Sequence, residues 1–182
     1  MALNTISRSL HDVGLAAWFG GTLANAVSLN EAAAQAGSAT DRGAVANKGW
    51  DRWTPVNAAA IGAHLVGSVG QLAGNRGRLA HQQGVGTMSL VKTGLTAAAL
   101  GVTGYSRVLG SKVSQRVDVP VEDGTTPTDR TPENVASAQK QLTALQWVIP
   151  VLTGALIVIS AFAGEQQRGT ALIDGLRKRI TG

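Results

Sequence analysis

Five side chains able to hydrogen-bond lie on one helical stripe of an otherwise uncharged stretch: Asn57, His64, Ser68, Gln71 and Asn75. Their spacings of seven, four, three and four residues keep them on a single helix face. No Asp, Glu, Lys or Arg falls between Arg52 and Arg76, an interval of roughly the twenty residues that a bilayer crossing needs. His64 stands ten residues beyond Thr54, about 15 Å along a helix and near mid-bilayer. Lipid offers no hydrogen bonds, so a polar stripe on an embedded helix must face protein or water. Such a stripe has two uses. Its amides and hydroxyl can join helices together, or its imidazole can hold a ligand, relay protons or contact a metal or haem.

Other groups able to do chemistry sit near the ends of further apolar stretches. His11, Asp12, Gln71, Asn75, Lys92 and Glu165 are predicted to reach similar depth, with His64 deeper, near Trp18. The predicted ligand-binding set is Asn25, Asn57, His64, Ser68, Gln71, Asn75 and Lys92. Candidates for acid–base catalysis are His11, Asp12, His64 and Glu165. Candidates for metal or haem contact are His11 and His64. No His-x-x-x-His, Glu-x-x-His, Gly-x-Ser-x-Gly or phosphate-loop pattern accompanies them. No motif therefore indicates a cofactor or names a reaction.

The elements that position these residues follow from the apolar patterning. Of 182 residues, 44% are hydrophobic and only 15% charged, and the apolar ones gather into four runs. The fold class expected is all-α: a polytopic integral membrane protein of four transmembrane helices with small-residue packing faces, forming one domain over 1–182. The spans are expected at about 11–30, 54–75, 87–106 and 142–164. Thr54-Pro55 reads as the start of the second helix, because Thr caps free amides and Pro suits the first helical position. Residues 31–53 read as a surface helix and turn, and 75–86 as a tight basic loop. Residues 107–131, rich in Pro, Gly, Thr and acids, read as a structureless linker. Thr131-Pro132-Glu133 restarts a helix that continues into the fourth span. The tail at 165–182 places Leu172, Ile173, Leu176 and Ile180 on one side beside Arg177, Lys178 and Arg179, an amphipathic helix suited to an anionic leaflet.

Gly70-x-x-x-Gly74 and the Gly94, Ala97, Ala98, Gly101 and Gly104 face let helices approach closely. With no cysteine, disulfides and thiolate chemistry are excluded. The net charge of +5 suits basic residues flanking spans rather than nucleic acid, which is not an expected partner. Four spans leave both termini on one side, read as cytoplasmic, with Trp50, Trp53, Tyr105 and Trp147 at the opposite interface. Richness in Ala and Gly, with Arg above Lys, suits a high-GC bacterial source, and the location expected is the bacterial inner membrane.

The opening of the first span, His11-Asp12-Val13-Gly14-Leu15-Ala16-Ala17-Trp18-Phe19-Gly20-Gly21, resembles the His…Trp-x-Gly-Gly opening of the copper-resistance-D-like family of small bacterial membrane proteins. The resemblance covers one span of four, and no companion motif appears in the others. It implies metal or haem contact at His11.

The function expected is a homo-oligomeric four-helix inner-membrane protein whose polar intramembrane pocket binds or moves a lipid headgroup, ion or small metabolite. Membrane lipids are its expected partners. One alternative is an accessory or structural subunit of a larger membrane complex. Another is a membrane-embedded enzyme that acts on a lipid-like substrate through a His and a carboxylate.

Overall fold

The computed structural model describes the backbone of residues 2–81, 85–115 and 119–181, with side chains described over 4–74, 76, 86–115 and 119–164. Helix α1 (Ala2–Ala24) passes through a π-helical turn (Asn25–Leu29) into the short α2 (Asn30–Ala34). Three long helices follow: α3 (Ala39–His81), α4 (Val85–Ser114) and α5 (Glu133–Thr181).

Helix α3 does not begin at Thr54-Pro55 as its sequence suggests. It begins fifteen residues earlier, where Ser38 caps the first turn. The Asp41 amide donates to Ser38 Oγ at 3.1 Å, and the Ser38 hydroxyl donates to the Asp41 carboxylate at 2.6 Å, a reciprocal arrangement that satisfies a free donor of the first turn. A helix already running then carries Pro55 in its interior, and the Thr54 hydroxyl donates to the Trp50 carbonyl at 2.9 Å. Ser38→Ala should lower stability by about 1 kcal/mol, read from the unfolding midpoint of the purified protein.

The connections differ from expectation in the same direction. Most of the predicted 75–86 loop is helix, since α3 reaches His81 and α4 starts at Val85. The predicted linker at 107–131 is not structureless either. Its first part extends α4 to Ser114, and the loop after it is ordered by its own polar groups. Asp123 Oδ1 accepts from the amides of Thr125 and Thr126 at 2.6 and 2.9 Å. The Pro120 carbonyl accepts from the Thr128 and Thr131 hydroxyls at 3.2 and 2.7 Å. The Val121 amide donates to the Ala39 carbonyl at 3.1 Å, and the Val121 side chain is buried. A composition that suggests a solvated linker thus supplies local hydrogen bonds that fold it over the helix ends. After Thr131-Pro132, α5 starts as expected and runs without a break, Pro150 inside it, through the predicted tail to Thr181. The side chains of that tail lie outside the described residues.

The long helices pack antiparallel. Helix α1 lies along α3, α4 lies along α5, and α1 against α5 joins the two pairs. The α3–α4 seam is the loosest side of the bundle. It is bridged where both terminal nitrogens of Arg107 reach Asp51 Oδ1 at 3.2 Å. One apolar cluster, around Leu15, Trp18, Ala60, Ala99, Ile149 and Leu156, fills the middle. A second, of Leu109, Val113, Val135 and Ala138, holds the loop end of α4 to the start of α5.

Polarity is distributed in an unusual way. His11, Thr22, Asn30, His64, Gln139 and Thr153 are buried, while Val13 (68% exposed), Val66, Val69, Leu90 (78%), Val151 and Phe162 lie outside. Among the described residues one helical stretch, Glu133–Gly164 of α5, is long and apolar enough to cross a membrane by length and composition. Helices α1, α3 and α4 carry glycine at a higher density than that stretch, which lowers their apolar character.

Candidate ligand-binding centres

The first centre forms where α1 crosses α3. Gly14 faces the Ala60 carbonyl and the His64 amide, so a Cβ at Gly14 would stand only 2.5 Å from that nitrogen. Gly67 faces the His11 amide and the Ser7 carbonyl, and a Cβ there would come within 2.7 Å of the His11 Cα. Backbone meets backbone at both points, so only glycine fits. This contact sets the register of the two helices and brings the two histidines together.

The His11 and His64 rings lie 4.5 Å apart between centroids, tilted by 47°, and Trp18 meets His64 edge-on at 6.1 Å. All three side chains are almost fully buried. His11 Nδ1 is 2.7 Å from Asp12 Oδ1, and His64 Nδ1 is 3.4 Å from the His11 carbonyl. Both acceptors are oxygens that offer no proton, so each Nδ1 carries the hydrogen. Each Nε2 of the neutral ring is then left with a free lone pair. Neither Nε2 has a hydrogen-bond partner, nor has the Trp18 Nε1. An imidazole oriented by a carboxylate or carbonyl at one nitrogen and open at the other is suited to accept a proton, take a hydrogen bond from a ligand or coordinate a metal. Lys92 of α4 is close enough for its charge to act on both rings, and Arg8 acts on His11.

The structure therefore brings His11, Asp12, His64 and Lys92 into one neighbourhood. The register fixed by Gly14 and Gly67 brings the His64 ring against both His11 and Trp18. Ser68 donates to its own helix at the His64 carbonyl, 2.8 Å away, which takes its hydroxyl out of interhelical bonding. Gln71 is half-buried two turns beyond His64. Asn25 belongs to the π-turn at the far end of α1, about 20 Å of helix from His11. Asn57 lies two turns from His64 towards the loop end and belongs to a different centre. The side chains of Asn75 and Glu165 lie outside the described residues. Among the described residues no group of three or more His, Cys, Asp or Glu gathers to hold a metal. A metal here would have His11 and His64 as protein ligands.

The second centre is a cavity of about 240 Å³ at the α3–α4 seam, well beyond the space a single water needs. Trp50, Trp53, Asn57 and Ile61 line it from α3, Thr103, Gly104, Ser106 and Arg107 from α4, and Gln146 and Ile149 from α5. The Nε1 of Trp53, the Oδ1 of Asn57 and the hydroxyls of Thr103 and Ser106 are buried without a partner. Beside the cavity, Asn30 links the bundle by donating to Gln146 at 2.7 Å and accepting from Trp50 at 3.3 Å.

Of the cavity-lining residues, only Asn57 was expected as a ligand contact. Trp50 and Trp53 read as interface aromatics, and Thr103 and Ser106 were not singled out. Their seven-residue spacing from Trp50 to Asn57 was the one usable signal, since it sets an indole and an amide on one face.

No protein family, curated protein or solved structure matches this chain. The likeness of the first helix to copper-resistance-D-like proteins rests on His11, Trp18, Gly20 and Gly21 alone.

Proposed function

We propose that the chain is a multi-pass membrane protein in which α1, α3, α4 and α5 each cross the bilayer and the buried His11–His64 pair binds a lipid headgroup, ion or small metabolite. One observation carries this reading: the bundle turns the imidazoles of His11 and His64 inward and leaves Val13, Val66, Val69, Leu90, Val151 and Phe162 exposed. Apolar side chains stand exposed on all four long helices, an arrangement that costs free energy in water. In lipid it is the expected arrangement, because a polar group can be satisfied only inside the protein. The antiparallel order leaves both termini on one side, read as cytoplasmic from the basic flanks. Gly94, Ala97, Ala98 and Gly101 of α4 are exposed, a small-residue face free to pack against a second copy, which favours a homo-oligomer.

The binding role draws on the two unpartnered Nε2 atoms. A buried acceptor without a partner costs about 1–3 kcal/mol, and a ligand that donates to it or coordinates it recovers that loss. The test is a native mass spectrum of the full chain released from mild detergent, before and after His64→Ala. A discrete oligomer with a fixed extra mass is expected, and His64→Ala should remove that mass while leaving the oligomer intact. A bare monomer, or a species joined to foreign subunits, would replace this reading with an accessory-subunit role. Release from membranes by alkaline carbonate would remove the multi-pass reading itself.

A further inference from the structure

From the α3–α4 cavity we infer a second binding site, distinct from the histidine centre, that takes an acyl-ester lipid from the surrounding leaflet. The inference rests on the multi-pass reading, since it requires the seam to face lipid.

Three observations point to this occupant. First, depth: Trp50, Trp53 and Arg107 line the cavity together with Gly124 and Thr125 of the loop that covers the helix ends. Indoles and a guanidinium beside such a polar covering loop mark the membrane interface, where lipid ester carbonyls reside. Second, chemistry: the remaining wall includes Ala58, Ile61, Leu142 and Ile149, which suits hydrocarbon. Against this apolar wall, the indole N–H of Trp53 has no acceptor. An ester carbonyl supplies that acceptor, and the hydroxyls of Thr103 and Ser106 are two further donors within the same lining. Third, access: the seam is the loosest contact in the bundle, and on α4 the cavity-lining Gly104 and nearby Val108 are both exposed. A chain arriving from the side therefore meets an apolar entrance. The Arg107–Asp51 pair spans the same seam with both side chains about half exposed, 47% and 49%. At that exposure it fastens the helices only weakly, and its cation lies within reach of a lipid phosphate.

Gly104 makes the inference testable. It lines the cavity, and a Cβ built on it meets nothing within 4 Å. Gly104→Leu therefore adds an isobutyl group at the cavity wall with no clash at its Cβ. Gly62 on α3 is equally open but does not line the cavity, so Gly62→Leu is its control. The full chain would be reconstituted into vesicles containing phosphatidylglycerol with a photoreactive diazirine in its acyl chain, and the labelled residues mapped by peptide mass spectrometry. Labelling at Ala58 and Ile61 is expected. It should fall at least tenfold in Gly104→Leu and stay unchanged in Gly62→Leu. Equal labelling in all three proteins, or labelling confined to the outer residues Val56 and Val108, would overturn the inference and leave the cavity to water. Retention of each variant in carbonate-washed vesicles keeps the two proposals separable. Loss from the membrane strikes the multi-pass reading, whereas retention without cavity labelling strikes this site alone.

Discussion

Gly67→Ala is expected to cost about 3 kcal/mol, measured as the shift in unfolding midpoint in mixed detergent micelles. The figure follows from what the new methyl would meet. It would come within 2.7 Å of the His11 Cα and 2.5 Å of the Ser7 carbonyl, with the His11 amide closer still. These are backbone atoms, which cannot rotate away as a side chain can, so α1 and α3 would have to separate. Helix association in lipid depends mainly on close packing and interhelical hydrogen bonds, and separation weakens both along the interface. It would also part the two imidazoles, so binding at the histidine centre should fall with stability. Gly62→Ala, on the same helix with open space around it, should stay within about 0.5 kcal/mol of the parent. Equal effects from the two substitutions would mean that the crossing does not depend on glycine.

Trp18→Ala should be as damaging or more so, at about 4 kcal/mol. Trp18 has no exposed surface, joins Leu15, Ala60 and Leu156 in the central cluster, and meets the His64 ring at 6.1 Å. Removing the indole leaves a cavity whose lining loses dispersion contacts on every side. Trp18→Phe retains most of the volume and should recover more than half of the loss. The indole N–H has no partner in the protein, so the phenyl ring forfeits no internal hydrogen bond. A Phe variant as unstable as the Ala variant would show that the N–H, rather than the packed ring, carries the contribution.

The helical character of the chain was legible in its apolar runs, and the start of α5 was legible in Thr131-Pro132. Both are local signals, written in residues a few positions apart. The start of α3 was misread because Thr54-Pro55 is the stronger local pattern, yet Ser38 caps first and the helix had no reason to stop. The order in the 119–132 loop was missed for a related reason. Thr and Asp side chains that bond their own backbone produce the same composition as a solvated linker. At the histidine centre, helical spacing identified the face of His64 but not what that face would meet. The meeting of His11 with His64, 53 residues apart, depends on Gly14 and Gly67 each admitting the backbone of the opposite helix, and no local period encodes that. The cavity was invisible because it is defined by a contact that α3 and α4 do not make.

The π-turn at Asn25–Leu29 has a consequence for chain length. Its wider ring, closed by the Asn30 amide on the Asn25 carbonyl, accommodates one residue more than an α-turn would. That additional residue acts as a spacer between α1, whose phase is locked by glycine, and Asn30, whose amide must meet both Gln146 and Trp50. Deleting one residue from the turn would relax it to regular helix with its ladder intact. Everything after it would then swing by about 100°, so Asn30 would point away from both partners. The segment behaves like a tuning shim: it absorbs a mismatch in phase between two fixed ends, and the only adjustment it accepts is a whole residue.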